Sequence, residues 1–196
     1  MRHGNTEFNN SHTFQPHDTP LSDLGVEQAK NLGERLKPLN IVKILTSDLV
    51  RTKQTTEQVV NARSHPVEVV EHEILREREF GDLKGTSFAS MKKELFHPSS
   101  DYVPPNGESW PVFHERVNIA WEWVLAQAST SLKSPHDVLL VVTHGLVKST
   151  LANKHWGLVD QYISFENTSV SIVSAVKPHQ VQEINCTIHL KDLSKL

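Results

Sequence analysis

Val138-Leu139-Leu140-Val141-Val142-Thr143-His144-Gly145 is an unalternating run of branched and leucine side chains that ends on a histidine and a glycine. A run that is apolar at every position is the pattern of a strand covered on both faces, as in a parallel sheet with helices above and below. In open α/β sheets, ligands bind beyond the carboxyl ends of the strands. His144 stands at such an end, and Gly145 turns into a helix predicted from about Val147 to His155, whose N-terminal amides attract anions.

Outward from this stretch, strands and helices alternate. Leu24, Ala29, Leu32 and Leu36 recur at helical spacing between Leu21 and Leu36, and Pro38 ends the run. Ile41 to Leu45 reads as a short buried strand, and Thr46-Ser47-Asp48 as cap residues for a helix from about Leu49 to Asn61. Val67 to Val70 reads as a further strand. Pro104-Pro105-Asn106-Gly107 is a turn, after which Phe113, Val117, Trp121, Val124, Leu125 and Ala128 step along a helix face into a core. Two last strands flank a turn at Lys177-Pro178, around Val170 and Ile172 and then Val181 to Ile188. This order predicts an α/β three-layer sandwich, a mostly parallel sheet flanked by helices. Residues 1–196 read as a single domain, with a lid or insertion at about 86–110.

Composition narrows the partners. The formal net charge is -3 with a pI near 6.4, so no basic face advertises nucleic acid. No apolar stretch reaches the roughly 18 residues of a membrane span. Cys186 is the single cysteine, which suits a reducing compartment, and the expected location is cytoplasmic. Ser194-Lys195-Leu196 is the alternative address, a peroxisomal tripeptide. None of the twelve histidines shows a metal-ligand spacing, so neither metal nor cofactor is expected. His12, His17, His65, His97 and His179 lie in polar stretches and read as solvated.

Chemistry concentrates at a few places. Arg2-His3-Gly4-Asn5-Thr6 opens the chain, and Arg51 follows the strand that ends at Thr46-Ser47-Asp48. A guanidinium fork grips two phosphate oxygens at once, which a lysine cannot do. Two arginines and two histidines converging on one point would make a pocket for a phosphoryl group. Arg76, Arg78, Lys84 and Lys148 are candidates for a second phosphate, each read singly as a solvated charge.

These pieces, in this order, resemble the histidine phosphatase superfamily, also called phosphoglycerate mutase-like. The resemblance rests on Arg2-His3-Gly4-Asn5-Thr6 with Asn9, on Pro20-Leu21-Ser22 with Gly25 and Gln28-Ala29, and on Ser47 to Thr55. It continues through Leu75-Arg76-Glu77-Arg78-Glu79-Phe80-Gly81, Pro105-Asn106-Gly107-Glu108-Ser109 and Val142-Thr143-His144-Gly145. It implies that His3 is the nucleophile, taking the phosphoryl group as phosphohistidine. It further implies that Arg2, Arg51, His144 and Asn9 hold the phosphate oxygens, beside Gly145, and that Glu77 is the proton donor and later base. Within the superfamily, Asp48 to Thr55 and the turn at Pro104 are similar to the short phosphatase branch that includes TIGAR-like fructose-2,6-bisphosphatases.

The implied activity is metal-independent hydrolysis of small phosphomonoesters, such as fructose 2,6-bisphosphate or bisphosphoglycerate. The partner is then a small phosphorylated metabolite. Phosphoglycerate mutase is the alternative, and an inactive relative that only binds a phosphorylated ligand or partner is the reading from another class. Only Met1 precedes Arg2, whereas the resemblance implies an apolar strand delivering the Arg-His pair. The chain is therefore expected to lack that strand's rigidity at the nucleophile. Leu146 stands where relatives carry glycine or alanine, and is expected to narrow the pocket. Specificity is assigned to 88–104, which has no readable pattern.

Overall fold

The computed structural model describes residues 1–89, 91, 100–159 and 163–191. Residues 90 and 92–99 of the 86–110 lid, including Phe96 and His97, and the C-terminal tripeptide lie outside the described residues.

Five helices and five strands are described: α1 (Glu7–Asn10), α2 (Asp23–Leu36), β1 (Asn40–Thr46), α3 (Val50–Asn61), β2 (Glu68–Glu71), α4 (Trp110–Ser131), β3 (Asp137–Val142), α5 (Gly145–Lys154), β4 (Val170–Val173) and β5 (Val181–Cys186). β1 lies between β2 and β3, parallel to both, with Ile44 opposite Val69 on one side and Leu140 on the other. Successive side chains of a strand point to opposite faces. Ile44 accordingly meets Leu32, Leu36 and Val59 of α2 and α3, while Leu45 meets Phe113, Val117, Trp121 and Val147 of α4 and α5; a bulge between Ile41 and Lys43 puts Ile41 in the same cluster as Ile44. These two apolar clusters make the three layers, and they bury Trp121 in the core as the helix period requires.

The sheet β2-β1-β3 is parallel throughout, as expected, and the two last strands β4 and β5 form a separate antiparallel pair. Two expectations need correction. The expected caps for α3 do not act as such: Leu49 occupies the cap position with no side-chain bond. Asp48 is held instead by Arg76, and Ser47 Oγ meets the ring of His144. The nucleophile segment is also less loosely held than its place near residue 1 implies. Met1 N donates to Val141 O at 2.6 Å, Thr143 N to Met1 O at 3.0 Å and His3 N to Thr143 O at 3.1 Å. On the other side Arg2 N donates to Ser169 O at 3.3 Å and Thr168 N to His3 O at 3.1 Å. Met1, Arg2 and His3 thus lie as a rung between β3 and the turn leading into β4.

The start of α2 sits against the loop that follows this rung. Ser22 Oγ accepts from Gly25 N at 3.1 Å, capping α2, and donates to Asn5 Oδ1 at 2.7 Å. A Cβ on Gly25 would stand 2.0 Å from Asn5 O, so the helix can lie this close only without a side chain there. Gly25→Ala should therefore cost about 1–3 kcal/mol of stability and lower turnover by displacing Asn5 and its neighbours. Urea denaturation together with a phosphatase assay checks this; unchanged midpoint and rate would contradict it.

Candidate active site

A cavity of about 1570 Å³ opens at the carboxyl ends of β1 and β3, with Arg2, His3, Asn9, Arg51, Glu77 and Gly145 in its wall. Six of the seven sequence-derived site residues are thus brought to one place from four separate segments. The seventh, His144, is fully buried behind His3, with ring centroids 5.2 Å apart. The strand end at Thr143 places both rings, because His3 N bonds Thr143 O while His144 follows it directly.

His3 is buried, and its Nδ1 lies 2.7 Å from Gly4 O. A carbonyl oxygen only accepts, so Nδ1 carries the ring proton and Nε2 keeps a lone pair. Burial holds the imidazole well below its usual pKa, and the Arg51 and Arg2 charges push the same way against the Gly4 carbonyl. The ring is therefore neutral near pH 7, the form a nucleophile needs.

Arg51 is buried at the start of α3. Its Nη1 donates to Pro16 O at 3.2 Å, while its Nε is buried without a hydrogen-bond partner. Burial, joined by repulsion from Arg2 and opposed by Glu77, brings its pKa down to about 10, so it stays cationic. Arg2 Nη1 donates to Phe165 O at 2.5 Å. Asn9 Oδ1 accepts from Thr6 N and Thr6 Oγ1, both at 3.1 Å, which leaves its Nδ2 hydrogens for a ligand.

Glu77 takes Leu146 N–H at 3.1 Å on Oε2 and Arg78 N–H at 3.1 Å on Oε1. Burial raises its pKa above the ordinary carboxyl range, although these two bonds and the Arg51 and Arg2 charges oppose the rise. Leu146, expected only to narrow the pocket, thus also holds the acid through its backbone. Ser47 Oγ lies 3.0 Å from His144 Nε2 and accepts from Leu49 N at 3.4 Å. A Ser47 hydroxyl that donates to Nε2 leaves the His144 ring proton on Nδ1. That Nδ1 is buried without a partner.

The second-phosphate candidates divide. Arg76 is paired with Asp48 and Glu73 and does not line the cavity. Lys84 lines it but is paired with Glu79 at 2.8 Å. The solvated reading is wrong for Arg78 and Lys148, both of which are buried. Lys148 donates to Ser169 O at 2.9 Å and Oγ at 3.0 Å and lies over the Phe165 ring, away from the cavity. His17 is likewise not simply solvated, being 2.7 Å from Glu79, and His179 packs edge-on against Trp121. Among the described residues no cluster of His, Cys, Asp and Glu forms a metal-ligand set.

Asn167 is the site residue that sequence reasoning missed. Its Nδ2 donates to His3 O at 3.1 Å and to Asn9 Oδ1 at 3.3 Å, tying the two residues together. Its only trace in sequence is the polar run Glu166 to Ser169, which carries no periodicity.

The sequence profile of the histidine phosphatase superfamily (branch 1) matches residues 1–186. The probable phosphoglycerate mutase GpmB of Proteus mirabilis is 32% identical over 184 residues, which cover 88% of this chain and 82% of that protein. Fructose-2,6-bisphosphatase TIGAR of Xenopus tropicalis is 30% identical over 131 residues, spanning 63% of this chain and 48% of that protein. Among solved structures, Bacillus stearothermophilus YhfR superposes with a TM-score of 0.80 at 25% identity, covering 97% of this chain and 96% of its own. A mycobacterial glucosyl-3-phosphoglycerate phosphatase in complex with VO3 gives 0.72 at 25% identity, with 88% of each chain covered. The chain belongs to the histidine phosphatase superfamily. That membership makes it an enzyme of the phosphatase and mutase class, with the phosphoglycerate mutase-like fold.

Two outcomes follow from this geometry. Asn167→Ala should lower kcat on the order of 100-fold, the cost of about 1 Å of slack at a reacting atom, while the protein stays folded; single-turnover rates check it. His3 and His144 are both held neutral by burial, their pKa values well below the usual one. An unfolded imidazole takes a proton near pH 6.5, so below that pH the unfolded chain binds protons that the folded one refuses. Stability present above about pH 6.5 should be lost as pH falls, with Glu77 contributing weakly in the opposite sense. Melting temperatures at pH 7 and 5 test the sign.

Proposed function

We propose that the protein hydrolyses small phosphomonoesters through a phosphohistidine on His3, with no metal in the reaction. The reading is carried by one observation, the His3 ring fixed by Gly4 O with its Nε2 lone pair available among Arg2, Arg51 and Glu77.

His3 Nε2 attacks phosphorus, forming the P–N bond as the P–O ester bond breaks. Arg2, Arg51, the Asn9 amide and His144 Nδ1–H supply donors for the three phosphoryl oxygens, stabilising the charge that spreads over them. Glu77 in its protonated form, which burial favours, gives its proton to the leaving alkoxide. The resulting carboxylate then takes a proton from water, whose oxygen attacks phosphorus and breaks the P–N bond. Inorganic phosphate leaves, and His3 and Glu77 return to their starting states. A mutase differs only in the acceptor, a second substrate hydroxyl replacing water, and the named similarity to GpmB supports keeping that reading second.

His3→Ala should abolish release of phosphate from p-nitrophenyl phosphate in the presence of chelator. Glu77→Gln should behave differently. It should slow phosphoryl transfer to His3 from an alkyl phosphate by about 10²–10⁴-fold, the usual worth of a general acid, yet slow the first-turnover burst of nitrophenolate from p-nitrophenyl phosphate far less, because nitrophenolate leaves without a proton. Equal losses on both substrates would remove Glu77 from the acid role, and phosphate release surviving His3→Ala would remove the mechanism.

A further inference from the structure

Pro105-Asn106-Gly107-Glu108-Ser109 carries part of the family resemblance, yet phosphoryl transfer at His3 uses none of its side chains. Ser109 caps α4, accepting from Val112 N at 3.3 Å. Glu108 has a different task, which it shares with Arg116, about two turns into that helix.

Glu77 stands on a segment that no ladder holds. Residues 76–80 belong to no described helix or strand, so their backbone groups cannot find partners in a sheet. Arg116 supplies them. Its Nη1 donates to Ile74 O at 3.0 Å and to Arg76 O at 2.8 Å, and its Nη2 to Glu77 O at 3.1 Å. Thr143 Oγ1 takes the intervening carbonyl, donating to Leu75 O at 2.8 Å. The other two guanidinium hydrogens go to Glu108, Nε to Oε1 and Nη2 to Oε2, both at 2.7 Å. All five N–H donors of the side chain are thus spent.

Glu108 closes the arrangement from the other end. Its Oε2 also accepts from Glu79 N at 2.8 Å, and its own N donates to Glu79 O at 2.8 Å. Gly107 lets the two backbones come this close, since a Cβ there would stand 2.7 Å from Glu79 O. Bonds to Ile74, Arg76, Glu77 and Glu79 bracket the acid on both sides, whereas an ion pair that only stabilised α4 would need none of them.

We propose that Arg116 and Glu108 are positioning residues for proton delivery, holding the backbone that aims the Glu77 carboxyl at the leaving oxygen. This rests on the acid role of Glu77 in the hydrolytic reading. Neither residue is among those that line the cavity, so both act through Glu77 and not on substrate. A lysine at position 116 keeps the charge but not the flat fork, so it cannot serve the carboxylate and three carbonyls together.

Single-turnover kinetics with folded enzyme in saturating excess test this, using glycerol 3-phosphate and p-nitrophenyl phosphate as paired substrates. Arg116→Lys should slow transfer from glycerol 3-phosphate on the order of 10–100-fold, the cost of up to about 1 Å of slack at a reacting group. It should slow nitrophenolate release far less, because that leaving group needs no proton. Glu108→Gln, which keeps an oxygen for Glu79 N but weakens the fork, should shift the ratio of the two rates the same way by a smaller factor. In a Glu77→Gln background Arg116→Lys should add little further loss, since no acid remains to be aimed. A destabilised variant still answers, because the rate constant at saturation does not depend on how much of it is folded.

Equal losses on the two substrates in Arg116→Lys, no loss on glycerol 3-phosphate, or a loss that multiplies in full on top of Glu77→Gln would each overturn the proposal. Were Glu77→Gln itself to slow both substrates equally, the acid role would fall and the proposal with it. A selective Glu77→Gln beside an unselective Arg116→Lys would overturn the proposal alone.

Discussion

The bond from His3 Nδ1 to Gly4 O, 2.7 Å long, does what no other contact in the site can do. It fixes the tautomer, so the lone pair appears on Nε2, the nitrogen proposed to attack. It also fixes the ring's orientation relative to Arg51 and Glu77. For that bond to hold its geometry the backbone of His3 must itself be held. This is the task of Thr143 on one side and of Asn167 and Thr168 on the other. Lys148 steadies the same turn by bonding Ser169, whose carbonyl also receives Arg2 N–H.

Burial pushes neighbouring groups toward opposite protonation states, both of them uncharged. An imidazole loses its proton when desolvated and a carboxyl keeps one, because both respond to the cost of charge in a poorly solvated place. The same environment therefore prepares His3 as base-like nucleophile and Glu77 as acid without any titration partner between them. The two arginines deepen the effect on His3 and limit it on Glu77, which leaves the carboxyl able to release its proton to a leaving group. Arg51 carries the same penalty and remains charged, since its pKa falls only to about 10.

Polar residues that look alike in sequence end in different situations here. Arg76 and Arg78 flank Glu77 symmetrically in the chain, yet the first pairs with Asp48 and the second stacks on Trp110. Residues two apart in a regular strand would share a face, but 76–80 is not a strand, and its two arginines meet different elements. Lys148 is one residue of a helix that follows an active-site histidine, and its burial against Phe165 and Ser169 depends on a turn some twenty residues later in the chain.

The amino-acid sequence by itself determined the layered α/β arrangement, because strand and helix periods are local properties of apolar spacing. It also singled out Arg2, His3, Arg51 and Glu77, which the fold brings to the wall of one cavity, because arginine, histidine and glutamate at strand ends have few other reasons to stand in that order. Only the tertiary structure decided that Met1 to His3 is gripped as a rung between β3 and the turn before β4. It likewise decided that His144 stands behind His3 and that Asn167 joins His3 to Asn9. Those facts are hydrogen bonds between segments more than a hundred residues apart in the chain, and no pattern within a window of neighbouring residues encodes where such partners meet.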